Sequence, residues 1–294
     1  MAKEFTIENE YLKVTVTTWG AQVKSVLRKC DGVEHIWQAD PTLWGYHAPI
    51  LFPHCGKVVD GKIEAKGKVF ESGQHGFARG MEHAFVDQTA DTVVLELCAS
   101  PETLAKFPYD FRLISTFTLE RDTLHHTLTV ENLDEDKLPF GIGYHPAFAI
   151  PFDDKHTVAD YELRFDEMES PLCLKQQPTG LLQKDHYYLG SNLTAIAIDE
   201  NLFANDSHCM TNLRSSTLGI YEKDTGRAVI CDISQVPYTL IWSKPGMPRF
   251  VCIEPWHSIP SPEGGSIRWE EKPAAAILLP GEAWSCTLST TFAR

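Results

Sequence analysis

Strict alternation of apolar and polar residues recurs along almost the whole chain and leaves few choices of fold. LKVTVT at 12–17, TVVLEL at 92–97, LISTFTL at 113–119 and LHHTLTV at 124–130 all repeat with period two. So do YTLIW at 238–242 and SCTLST at 285–290, while FVCI at 250–253 is a continuous apolar run. Period two sends alternate side chains to opposite faces, which is the pattern of half-buried strands. Turn residues punctuate the runs at Arg121-Asp122, Asn132-Leu133-Asp134, Lys223 to Gly226 and Pro280-Gly281. One helix is predicted at 100–106, with Ser100 as its cap, Pro101 at its first position and Pro108 ending it. Strands and helices do not alternate, so a parallel doubly wound sheet is not expected. The prediction is an all-β chain of more than fifteen antiparallel strands in two packed sheets, forming one domain over residues 1–294.

Charge narrows the partners. The 294 residues carry 40 acidic and 26 basic side chains, a formal charge of −14. Such a chain is not expected to hold nucleic acid or an anionic membrane by electrostatics. No run of 18 apolar residues is present, and residues 1–5 lack the apolar stretch of a secretory signal. The eight cysteines are scattered singly, several within apolar runs, and are predicted to be buried and reduced, as in a cytoplasmic protein.

Four segments break the strand pattern by placing titratable groups among Gly, Pro and aromatic residues: APILFPHCGK at 48–57, QHGFARG at 74–80, FGIGYHPAF at 140–148 and FVCIEPWHS at 250–258. His145 suits proton transfer near neutral pH, but alone reads more readily as a core histidine bonded to backbone. His75 sits in a glycine-bounded turn four residues before Arg79. Glu254 ends an apolar strand run beside Pro255 and Trp256. A carboxylate there is costly unless paired or protonated, and a raised pKa suits a general base. Its alternative is a structural cap on backbone amides. Trp256 offers a flat wall for a sugar face, or a core aromatic.

Together the four segments resemble the aldose 1-epimerase family, the galactose mutarotase-like proteins, in order and spacing. IENEYLKVTVTTWGAQVKSV at 7–26 and NLFAND at 201–206 extend the resemblance over nearly the whole chain. Within the family it is to the LacX-type bacterial branch. The resemblance implies a β-supersandwich and a cofactor-free, metal-free mutarotase that interconverts α and β anomers of a hexose. It implies Glu254 as base and His145 as acid. His75, Lys57, Arg79 and an aspartate would position the sugar, with Trp256 and Phe77 lining the site. Asp206 is the expected aspartate and Asp199 its rival. Lys57 stands where the family usually carries arginine, and His257 follows EPW where an aromatic or small residue is usual.

Three other readings compete. One is a hexose-6-phosphate mutarotase using Lys57 and Arg79 for the phosphate. One is a metal enzyme built on His75, His145 and Glu254. The third is a non-catalytic sugar sensor. The expected partner is a small sugar, with the chain a monomer or a homodimer.

Overall fold

The computed structural model describes residues 2–176, 178–246 and 248–294. Two large antiparallel sheets dominate it. The first has nine strands, ordered in space as Leu193–Ala197, Tyr161–Glu169, Thr217–Glu222, Ala228–Asp232, Ala283–Ala293, Thr123–Asn132, Phe111–Glu120, Thr92–Cys98 and Ala84–Gln88. The second runs Leu182–Tyr188, Leu172–Gln176, His208–Thr211, Tyr238–Trp242, Phe250–Trp256, Gly143–Tyr144 and Ile50–Leu51, and Ala147–Ala149 also pairs with Phe250–Trp256. A four-stranded sheet over residues 4–34 precedes them. The fold has the antiparallel packed sheets that the alternation predicts and is the β-supersandwich that the family resemblance implies.

Local sequence accounts for the long central hairpin. Residues 111–120 and 123–132 pair in continuous register, and odd positions of the first strand alternate buried against half-exposed even ones. Phe111, Leu113, Phe117 and Leu119 therefore enter the main core. The predicted helix forms over Pro101–Leu104, shorter than 100–106, with Ser100 Oγ accepting from the Thr103 amide. All eight cysteines are free, but only six are buried. Cys98 is exposed because it continues the solvent face of the strand Thr92–Cys98, and Cys30 lies in the turn after Gln22–Arg28. No helix among the described residues is long and apolar enough to cross a membrane.

The core holds several neutral histidines. Burial pushes His35, His54 and His126 down to about 3 and His83 to about 4. A folded-state pKa below the unfolded value near 6.5 means that only the unfolded chain binds these protons as pH falls. The stabilisation is complete above that unfolded value and declines below it, by up to about 1.4 kcal/mol per pH unit for each group. Urea unfolding at pH 7.5 and pH 5.0 is therefore expected to show a markedly lower midpoint at the acid value. Equal midpoints would mean that these imidazoles accept protons without unfolding.

Candidate active site

The strand Phe250–Trp256 is buried along its length. Its alternation sends Val251 and Ile253 into the main core. Cys252, Glu254 and Trp256 turn to the opposite face. On one side the strand pairs with Tyr238–Trp242, which sets Leu240 opposite Glu254. On the other side it pairs twice with one returning segment. Gly143 opposes Trp256, and Ala147 opposes Cys252. The same register brings position 145 opposite position 254. His145 Nε2 lies 3.2 Å from Glu254 Oε2.

Close packing makes this arrangement specific. A Cβ on Gly143 would fall 2.6 Å from the Trp256 ring and 2.8 Å from Cys55 Sγ. Glycine thus lets the indole lie over the backbone, and Trp256 Nε1 donates to the Tyr144 carbonyl at 3.2 Å. Trp44 stacks on the His145 imidazole at 4.9 Å, and Trp242 meets its edge at 5.8 Å.

His75 arrives from a separate loop. Its amide donates to the Gly56 carbonyl at 2.8 Å, and the Gly56 amide donates to its Nδ1 at 3.0 Å. Nδ1 is therefore an acceptor, so the neutral ring carries its proton on Nε2, and the 3.1 Å contact with the Gln74 side-chain amide is a hydrogen bond when that amide turns its oxygen to the ring. His75 and Gly76 both have positive φ, and a Cβ on Gly76 would sit 2.2 Å from the Phe52 carbonyl oxygen. Only glycine fits that second position.

These side chains line a cavity of about 330 Å³, with Trp44, Tyr46, Gln74, Arg79, Gln176, Asp206, Ser207 and Trp242. Glu254 is 2% exposed and His145 7%. Burial, and then the Asp206 charge, raises Glu254 well above the usual carboxylate range. Burial, with the Arg79 guanidinium next, lowers His145. Burial and the neighbouring His145 hold His75 well below its ordinary value. The pair at the cavity base thus favours one mobile proton shared between carboxylate and imidazole over two separate charges.

The cavity gathers His75, Arg79, His145, Asp206, Glu254 and Trp256. It does not gather every expected residue. Lys57 is absent from its lining; the lysine methylenes lie against Gly180, which does line it. Phe77 packs edge-on to Phe52, 6.1 Å away, and faces an adjoining groove shared with Tyr46, Phe70 and Arg79. Asp199 accepts from the amides of Asn201 and Leu202 at an exposed turn, so its carboxylate serves the backbone there. His257 packs on Trp284 at 4.6 Å, outside the cavity. The metal-compatible group that includes the pair is His145, Cys252 and Glu254, with donor atoms within 4.8 Å of one another, and not the expected set with His75. Trp44, Tyr46, Gln176 and Trp242 carry no local signal in the sequence, and Gln74 sits inside a motif without marking a role. Aromatic density around 44–46 is the one hint that could have found two of them.

Residues 3–288 match the family model described as aldose 1-epimerase. The protein LacX of Lactococcus lactis, chromosomal form, is 33% identical over 283 residues, covering 93% of this chain and 94% of LacX. The fold is similar to that of a galactose mutarotase related enzyme from Lactobacillus acidophilus, with TM-score 0.94, 28% identity, and coverage of 99% of this chain and 97% of that one. A galactose mutarotase-like protein from Lactobacillus casei gives TM-score 0.90, 27% identity, and coverage of 98% and 99%. With the motifs, the fold and a full-length family match in agreement, the chain belongs to the aldose 1-epimerase family.

Proposed function

We propose that the chain is a mutarotase that interconverts the α and β anomers of a hexose by general acid–base ring opening. The observation that carries this reading is the 3.2 Å contact between His145 and Glu254 at the base of an open cavity. Mutarotation needs one proton removed from the C1 hydroxyl and one delivered to the ring oxygen. The C1–O bond then opens to the aldehyde, C1 turns, and the ring closes on the other face with both transfers reversed. In this reading Glu254 takes the hydroxyl proton while His145 protonates the ring oxygen. That step starts from carboxylate and imidazolium. Burial favours the neutral pair in the free site, and a short transfer across the 3.2 Å contact interconverts the two forms. Each positioned group is worth on the order of 10²–10⁴-fold.

The remaining assignments follow from placement. Nε2–H of His75, the Arg79 guanidinium, the Asp206 carboxylate and the amides of Gln74 and Gln176 would hold ring hydroxyls. Trp44, Trp242 and Trp256 would wall the sugar's apolar faces. Lys57 and Phe77 would act from outside, by supporting Gly180 and the Arg79 loop. The main apolar cluster draws on residues from Ile7 to Phe292, which supports a single domain across the chain.

Arg79 favours a second reading. Its guanidinium lies 4.9 Å over the Tyr46 ring and donates to the Gln74 carbonyl at 2.9 Å. None of the ion pairs among the described residues involves it; Arg28, Arg112, Arg164, Arg227 and Arg268 face carboxylates, and Arg121, Arg214, Arg249 and Arg294, like Arg79, are in no such pair. A guanidinium at the cavity edge without an acidic partner suits a phosphorylated sugar.

Anomer exchange followed by polarimetry or NMR tests both readings. Glu254→Gln and His145→Ala are each expected to lower kcat at least about 10²-fold, with smaller changes in KM. Full turnover in Glu254→Gln would remove the base assignment, whereas sugar binding without exchange by the wild type would favour a sugar-binding module. A much larger kcat/KM for glucose 6-phosphate than for glucose, abolished in Arg79→Met, is the outcome expected of the phosphate reading. Equal values would remove the phosphate reading of Arg79.

A further inference from the structure

His145 has a second nitrogen, Nδ1, that is buried and has no hydrogen-bond partner among the described residues. The carbonyl of His145 itself is close enough to ease protonation but does not meet hydrogen-bond geometry at this atom. His126 Nε2 is in the same condition. Buried polar atoms in folded proteins nearly always have partners, so two orphans call for an explanation. Both residues line one small internal cavity of about 30 Å³, distinct from the sugar-sized cavity. Thr290 adds a hydroxyl to its otherwise apolar wall. A polar cavity needs only about 10–15 Å³ of such volume to hold a water with two to four partners.

We infer that an internal water in this cavity joins His145 Nδ1 to His126 Nε2, which makes His126 a positioning residue for the catalytic imidazole. The inference rests on the acid–base reading of His145. Its hydrogen bonds are consistent from end to end. The Glu254 carboxyl donates to His145 Nε2, which requires the proton of the neutral ring to be on Nδ1. Nδ1–H donates to the water, and the water donates to the lone pair of His126 Nε2. The bridge requires His126 to carry its proton on Nδ1, and burial, with His83 nearby, holds that ring neutral. When His145 becomes imidazolium, Nδ1–H keeps the same partner and the new proton sits on Nε2, beside Glu254, from which it would pass to the ring oxygen of a bound sugar. Without the water the imidazolium would hold an unpaired buried N–H.

His126 is rigidly set for this task. It stacks on Phe117 at 4.1 Å and meets the Tyr144 ring edge-on at 5.1 Å. The Tyr144 hydroxyl donates to the His126 carbonyl at 2.9 Å, and Tyr144 is the residue before His145. The second imidazole is thus tied to the strand segment that presents the first.

Three measurements on the full chain test the inference. In ¹⁵N-histidine NMR, His145 is expected as the Nδ1–H tautomer; an Nε2–H tautomer would overturn it. A crystal structure at high resolution is expected to show one water within hydrogen-bond distance of both nitrogens; a dry cavity would overturn it. His126→Leu is expected to lower kcat roughly tenfold or more with KM little changed, and to shift the His145 ¹⁵N signals, while His126→Gln restores both. Unchanged kcat and ¹⁵N signals in a folded His126→Leu protein would also overturn it. The spectrum and the density need neither the variants nor turnover. Failure of the mutarotase reading, seen as wild type that exchanges no sugar, is therefore separate from failure of this one.

Discussion

Everything at the site depends on the pairing of one buried strand with a segment that meets it twice. Phe250–Trp256 accepts Gly143 opposite Trp256 and Ala147 opposite Cys252. Between those pairings comes Pro146, which has no amide hydrogen to give a ladder. The chain stays in register across the gap, and two titratable side chains are pressed together where water is scarce. A one-residue slip would turn Glu254 into the core and Ile253 into the cavity. Burial of the whole strand forbids that exchange, because a core carboxylate without a partner is far costlier than a cavity-facing one.

Around this rigid base, the groups that would meet a ligand come from loops. His75 is held by two hydrogen bonds with Gly56, and Asp206 sits in a left-handed turn. The division is physically sensible. Proton transfer is intolerant of small displacements, so its groups ride on the sheet. Hydroxyl recognition varies with the sugar, and loops on a fixed scaffold supply it.

Much of the site was legible because its residues break the strand rule where they stand. Glu254 ends an apolar run, His145 sits between glycines and a proline, and His75 precedes a glycine that a Cβ would drive into Phe52. Trp44, Gln176 and Trp242 break no rule. Trp242 is simply an aromatic in a strand of alternating residues, and nothing local says that its face looks into a cavity. Lys57 and Phe77 show the opposite failure. Both lie in informative motifs, but neither lines the cavity: the Lys57 methylenes pack against Gly180 and Phe77 packs against Phe52. Asp199 and Asp206 are rivals for one role; one is consumed by backbone amides, and only the folded loop separates them.

The amino-acid sequence by itself determined the strands, their inward faces and the places where polar groups interrupt them, because alternation and turn chemistry act over a few residues. Which interruptions meet was decided by the tertiary structure alone. Residues 145 and 254 are brought to 3.2 Å by hydrogen-bond register between distant segments, and His126 and His145 come to line one small cavity through the packing of two sheets. Contacts of that kind depend on the closure of the whole chain, and no local pattern encodes them.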